Sequence, residues 1–291
     1  MTEAVTISVI GSINLDIVAS GSALPRAGET VTGARLAYHP GGKGANQALA
    51  ARRLGAEVSM FGAVGTDAAA DQALSLLRTD DVNVNGVVSV SDRPTGVALI
   101  VVDPNGENQI VVAPGANDAV TANLGCETNK SSFHATICQL EIPIATIEAI
   151  AADVKGFFVL NLAPAQVVSH AVLNRADLII VNETEAAFYG EVLFTLPALV
   201  VVTLGAAGAF MYQGNAAERI YAKPPAVVPV DTTGAGDTFV GALVVALLEG
   251  QSRLDALTFA CAAGAAATQK EGAQPSMPDR AQVMALMGAS L

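Results

Sequence analysis

The sequence predicts an α/β protein: a mostly parallel sheet flanked by helices, with a small separate β unit attached. Three observations lead there. Short apolar runs alternate with longer helical stretches, and glycine punctuates the beat. That beat breaks between 82 and 112, where apolar runs lie too close together for helices to intervene. Apolar residues make up 52% of the 291, against 14% charged, which is ample for one large core.

The elements follow in order. "VTISVIG" (5–11) is a fully apolar strand ending in glycine, and "SINLDIV" continues extended to Val18. "ANQALAARRL" (45–54) has helical spacing and Gly55 stops it; "VSMFGAVG" (58–65) is the next strand, and a helix runs from Asp67 to about Arg78. "VNGVVSV", "GVALIVV" and "ENQIVVAPG" are then joined by "SDRPT" and "DPNG", the latter a strong turn signal. This predicts a small antiparallel unit over 82–112, joined by part of 13–38. The α/β rhythm resumes with a strand in 132–141 and a helix over 143–152. Strands follow at 156–164 and within 176–190, and a strand pair at 198–212. Two or more helices, among them 236–249 and 253–270, close the chain. All of 1–291 is expected to form one domain, with ligands beyond the C-terminal ends of the parallel strands.

Charge narrows the partners. The formal net charge is −12, which argues against nucleic acid, whose backbone requires clustered Lys and Arg. A small anion bound by helix ends and one lysine is still compatible with it. The cysteines at 126, 138 and 261 have no CxxC spacing, so reduced thiols in the cytoplasm are expected. Glu3 stands where a signal peptide would be basic. The uncharged stretch 192–217 is broken by Pro197 and several glycines, so it reads as buried strands and turns, with no membrane partner.

Three motifs carry chemistry. In "DTTGAGDTF" (231–239), small residues precede an apolar helix, so backbone N–H groups of Gly234, Ala235 and Gly236 can converge on an anion. Asp237 then falls in the first helical turn, either as a cap or as a base beside that anion hole, an arrangement suited to phosphoryl transfer. "GGKGANQA" (41–48) is not a GxxxxGK[ST] loop. It exposes backbone at Gly41 and Gly42, followed by Lys43 and Asn46, which reads as a packed loop–helix joint or as a polyhydroxy pocket. In "GSINLD" (11–16), Asn14 and Asp16 share one face of an extended chain; they can grip vicinal hydroxyls, or Asp16 can form a turn.

These motifs occur in order with "RPTGVALI" (93–100), "GAN" (115–117), "NETEA" (182–186), "VTLGAAG" (202–208) and "KEGAQPSMP" (270–278). Taken together, the chain resembles the ribokinase branch of the PfkB-type carbohydrate kinases over nearly its whole length. The resemblance implies transfer of the ATP γ-phosphate to the 5-hydroxyl of ribose, with Asp237 as base and Gly234 to Gly236 as anion hole. It implies that Asn14, Asp16, Gly41, Gly42, Lys43, Asn46 and Glu141 hold the sugar, under apolar cover from Ala98 and Ile100. Asn182 and Glu185 would organise Mg²⁺, water and phosphate; Thr203, Gly205, Gly208 and Gly236 would line the nucleotide. Asp231, Ser276 and carbonyls around Thr233, Ala267, Lys270 and Gly272 would hold K⁺. The β unit would be a lid that pairs in a homodimer.

The resemblance leaves two readings open beside ribose phosphorylation. One is another acceptor, such as 2-deoxyribose, a nucleoside or another sugar; the other is a non-catalytic sugar-binding protein. The sequence departs from the family after "NETEA", where only "EVLFTLP" separates Gly190 from the next strand and roughly a dozen residues are missing. His134 is expected to make local hydrogen bonds, and the histidines at 39, 134 and 170 do not have the spacing of a metal site.

Overall fold

The structure is a computed structural model and describes residues 4–104, 106–123, 133–214 and 218–289; Cys126 lies outside them. β1 (Thr6–Ile10) runs almost directly into β2 (Asn14–Ser20) and β3 (Arg35–Gly41). α1 (Lys43–Arg53) returns to β4 (Glu57–Val64), and α2 (Ala68–Ala73) and α3 (Ser75–Thr79) lead to β5 (Asn83–Ser89). β6 (Gly96–Val102) and β7 (Asn108–Ala113) form a hairpin. Next come β8 (Ala135–Gln139), α4 (Ile144–Asp153), β9 (Phe157–Asn161), α5 (His170–Arg175) and β10 (Leu178–Asn182). α6 (Glu183–Tyr189) and α7 (Val192–Thr195) precede β11 (Leu199–Thr203), β12 (Ala209–Gln213) and β13 (Ile220–Ala222). α8 (Ala235–Leu248), α9 (Arg253–Ala267), α10 (Ala273–Ser276) and α11 (Arg280–Gly288) complete the chain.

A nine-stranded sheet has the order β13-β12-β11-β10-β9-β8-β1-β4-β5. It is parallel from β11 to β5, and only the β12 and β13 edge is antiparallel. Strands to one side of β1 follow from β4 and those to the other from β8, so the switch point of the winding lies between β1 and β8. One apolar layer packs under α1, α8 and α9; the other packs under α4 and α5. α1 and α8 approach closely because their facing positions are small: a Cβ on Gly241 would sit 2.9 Å from the Ala50 Cβ.

The second sheet has the order β3-β2-β6-β7. Here the structure corrects the expected unit over 82–112. β5 pairs parallel with β4 at the edge of the large sheet, because α2 and α3 form a crossover between them. β2 and β6 are also parallel, so the small sheet is mixed, with antiparallel pairs at β2–β3 and β6–β7. The helix expected up to Arg78 is two short ones meeting at Leu74. α9 stops at Ala267, short of 270, and the Thr268 carbonyl accepts the N–H groups of Val230 and Asp231.

Candidate active site

The site grows from the switch point. The loop leaving β1 and the end of β8 meet where the Ser12 hydroxyl donates to Glu141 Oε2. The same carboxylate oxygen accepts the Lys43 N–H at 3.1 Å. Gly42 starts α1 with φ +88, a conformation that favours glycine, and a Cβ on Gly44 would lie 2.6 Å from the Gly11 carbonyl carbon. Glycine is therefore needed here for the helix end to approach the loop, which brings Lys43 and Asn46 to the strand ends.

The small sheet supplies the other wall. Asp16 pairs with Ala98 and Val18 with Ile100, so Asn14, Asp16, Ala98 and Ile100 lie on one face of that sheet and all four are buried. Asn14 Oδ1 accepts from Asn117 Nδ2 at 2.7 Å, and Asn117 Oδ1 accepts the Ile13 N–H at 2.9 Å. The sheet is anchored at its base by Asp67, whose carboxylate accepts the Thr95 hydroxyl and N–H. Those hydrogen bonds hold the Asp67 carboxyl below the usual carboxylate range.

Asp237 closes this pocket from the other side. Gly234, left-handed at φ +76, opens α8, and Asp237 stands in the first turn, 8% exposed. Its Oδ2 accepts from Asn46 Nδ2 and its Oδ1 from Gln47 Nε2, each at 2.9 Å. Of the three amides expected to face an anion, that of Ala235 is engaged within the chain. Ala235 N–H donates to the Thr232 carbonyl at 3.2 Å, closing a turn, so the donors left open in that first turn are Gly236 and Asp237.

Charge is concentrated here. Burial, then Glu141 and Asp237, push the Asp16 carboxyl up to about 7, against the opposing pull of Lys43. Burial works against the Lys43 ammonium, yet Asp237, Glu141, Glu185 and Asp16 outweigh it and raise its pKa above the ordinary lysine value.

On the far side of the α8 N-terminus lies a cavity of about 660 Å³. Its lining includes Asn182, Thr203, Gly205, Gly208, Thr232 and Gly236. Glu185 is buried beside Asn182 in a reciprocal cap: Asn182 Oδ1 accepts the Glu185 N–H and Glu185 Oε2 accepts the Asn182 N–H, both at 2.8 Å. Burial raises the Glu185 carboxyl. Asp231 stitches two segments together, accepting the Thr233 N–H at 2.9 Å and the Gly272 N–H at 2.8 Å. Ser276 donates to Ala273 O, Ala267 is buried, and Lys270 lies in the turn between α9 and Gly272. Among the described residues no cluster of three or more His, Cys, Asp or Glu is arranged to hold a metal. His134 bonds to Thr6, 128 residues away at the start of the neighbouring strand.

Sequence reasoning passed over Ser12, Gln47, Asn117, Gln139 and Asn161. Ser12, Gln47 and Asn117 lie within the motifs at 11–16, 41–48 and 115–117, whereas Gln139 and Asn161 end ordinary apolar strands and carry no local signal.

A carboxylate facing a polar pocket, on the same helical turn as open amides beside a second cavity, is the arrangement of an enzyme that moves a phosphoryl group to an alcohol. Comparison with known proteins agrees: the model of the pfkB family carbohydrate kinases matches residues 5–280, and the chain belongs to that family. Ribokinase of Schizosaccharomyces pombe is 37% identical, covering 96% of each chain. The crystal structure of Thermotoga maritima ribokinase superposes with a TM-score of 0.87 at 32% identity, over 98% of this chain and 99% of that one. Arabidopsis thaliana ribokinase complexed with ribose and ATP gives 0.85 at 30%, over 98% and 99%.

Proposed function

We propose that this chain transfers the γ-phosphate of ATP to the 5-hydroxyl of D-ribose, giving ribose 5-phosphate and ADP. The carrying observation is the first turn of α8, where Gly236 lines the cavity while the Asp237 carboxylate turns to Asn46 and Gln47, in electrostatic reach of Asp16 and Lys43. The full-length likeness to ribokinases, one of them complexed with ribose and ATP, supports ribose as the acceptor.

In this reading Asn14, Asp16, Lys43, Asn46 and Glu141 hold the hydroxyls, Gly41 and Gly42 let the backbone come close, and Ala98 and Ile100 cover the ring. The Asp237 carboxylate takes the 5-hydroxyl proton as that oxygen bonds to the γ-phosphorus, and the bond from phosphorus to the β-phosphate oxygen breaks. Open N–H groups at the start of α8, Gly236 foremost, receive the charge on the moving phosphoryl group. Thr203, Gly205 and Gly208 line the nucleotide cavity.

Two ions fit the residues present. Asn182 and the buried Glu185 would hold Mg²⁺ through water; bound there, it would neutralise phosphate charge. Asp231, Ser276 and carbonyls of Thr233, Ala267, Lys270 and Gly272 offer one negative charge among neutral oxygens, a donor set suited to K⁺. That site would set the shape of the loop before α8, since Asp231 already joins the two segments.

The small sheet acts as a lid and as a homodimer surface. Tyr38, Ile17, Leu99 and Val111 form one row across its outer face, with Tyr38, Leu99 and Val111 exposed. No helix among the described residues is long and apolar enough to cross a membrane, and we assign the enzyme to the cytoplasm, where ATP is supplied.

Product analysis across ribose, 2-deoxyribose, fructose and adenosine, with and without K⁺, tests the reading. Ribose 5-phosphate as the preferred product is expected; turnover of adenosine alone would move the acceptor to a nucleoside, and no turnover on any of them would overturn the assignment.

A further inference from the structure

Two amides hold Asp237, and they differ in kind. Asn46 has its Oδ1 buried without a partner. Gln47 has no such freedom: it is fully buried and every polar hydrogen of its amide is spoken for. Its Nε2 donates to Asp237 Oδ1 at 2.9 Å and to Asn161 Oδ1 at 3.0 Å, and its Oε1 accepts from Gln139 Nε2 at 2.7 Å. Asn161 Nδ2 in turn donates to the Ile180 carbonyl at 3.1 Å. Turning the Gln47 amide over would set its oxygen against two acceptors, so the network fixes its orientation. Gln139 fills the space beside Gly11, where a Cβ would fall 2.0 Å from its Oε1, an atom that itself has no hydrogen-bond partner.

We propose that Gln47 is a positioning residue for phosphoryl transfer, tying the Asp237 carboxylate through Gln139 and Asn161 to the C-terminal ends of β8 and β9. The inference rests on the kinase reading above. The network leaves one carboxylate oxygen held by the sheet and the other held by Asn46, which also faces the acceptor. When the hydroxyl proton arrives, the oxygen bonded to Gln47 stays fixed and the carboxylate keeps its approach angle.

The test uses Gln47→Met, of similar length but without polar hydrogens, with Gln139→Met as a second interruption one bond further out. With Gln47→Met, kcat should fall about ten- to a hundredfold, as for a lost hydrogen bond to a charged group, while the sugar KM stays within about twofold. In an Asp237→Asn background the same substitution should change the residual rate less than about twofold, because its effect passes through Asp237. A crystal structure of Gln47→Met should show the carboxylate in another rotamer. Gln139→Met should lower kcat in the same manner by a smaller factor, and it decides the matter if Gln47→Met does not fold. Unchanged kcat, a loss seen in KM instead, or an equal loss in the Asp237→Asn background would overturn the proposal. Should the wild-type protein phosphorylate no sugar, the kinase reading fails alone; the Asp237 rotamer in the variant crystal still decides the role of Gln47.

Discussion

The carboxylate of Asp16 occupies the space where a side chain on Gly41 would begin: a Cβ there would lie 2.3 Å from Oδ2 and 2.4 Å from the other two carboxyl atoms. Gly41 has an ordinary backbone conformation, so alanine is sterically excluded by its neighbour and not by its own torsions. Gly41→Ala is expected to fold and to displace Asp16. The KM for ribose should rise about ten- to a hundredfold, the range for a lost hydrogen bond to a charged group, with a smaller effect on kcat; steady-state kinetics would show it.

Asp237→Asn should lower kcat by about 10²- to 10⁴-fold, because the amide cannot take up the hydroxyl proton. Ribose binding should persist, since an amide still fits between Asn46 and Gln47 once the Asn46 amide, whose Oδ1 has no partner, turns over. Calorimetric titration with ribose beside single-turnover kinetics separates the two effects.

Burial, then Glu141 and Asp237, push the Asp16 carboxyl up from its ordinary 3.8 to about 7. Below that pH it is protonated and loses an acceptor site for sugar hydroxyls. The kcat/KM for ribose should therefore rise with pH through about 7, and Asp16→Asn should flatten that limb at a low value. The unfolded chain releases this proton first, so the sugar-free protein should lose thermal stability as pH rises from about 4 to about 7 and no further above it. A melting series without ligand checks the sign.

Asp231→Ala removes the acceptor shared by Thr233 and Gly272. Two hydrogen bonds to a charged group are lost at a half-buried position, so stability should drop by about 1.5–3 kcal/mol. Any stimulation by KCl should vanish with them. Denaturant unfolding and a KCl titration of activity measure these separately.

Leu99→Asp places a charge in the middle of the row formed by Tyr38, Ile17, Leu99 and Val111. A homodimer built on that face should dissociate, with a mass of one chain by light scattering. An unchanged dimer mass would place the interface elsewhere.

The parallel sheet was legible because its strands are buried on both faces and so read as unbroken apolar runs. β5 misled because "SDRPT" looks like a hairpin link, and nothing local reveals that its partner is β4, across a helical crossover. α11 was passed over although Asp279 and Gln282 form a reciprocal cap at its start. Asp237, Asn46 and Lys43 could be read because each sits in a glycine-marked motif at a helix start. Gln139 and Asn161 could not, since their partners lie 92 and 114 residues away and strand ends accept many side chains. That the Ala235 amide is engaged depends on a single turn bond to Thr232, a matter of backbone torsion that residue identity leaves undecided.

The acidic lining around Lys43 gives the pocket a direction. Asp16, Glu141 and Asp237 crowd one ammonium. A neutral sugar enters without electrostatic cost, but once phosphorylated it carries a dianion into a space already rich in carboxylates, where like charges repel. In the proposed reaction, once ADP has left, that acidic wall would favour release of the charged product over its return.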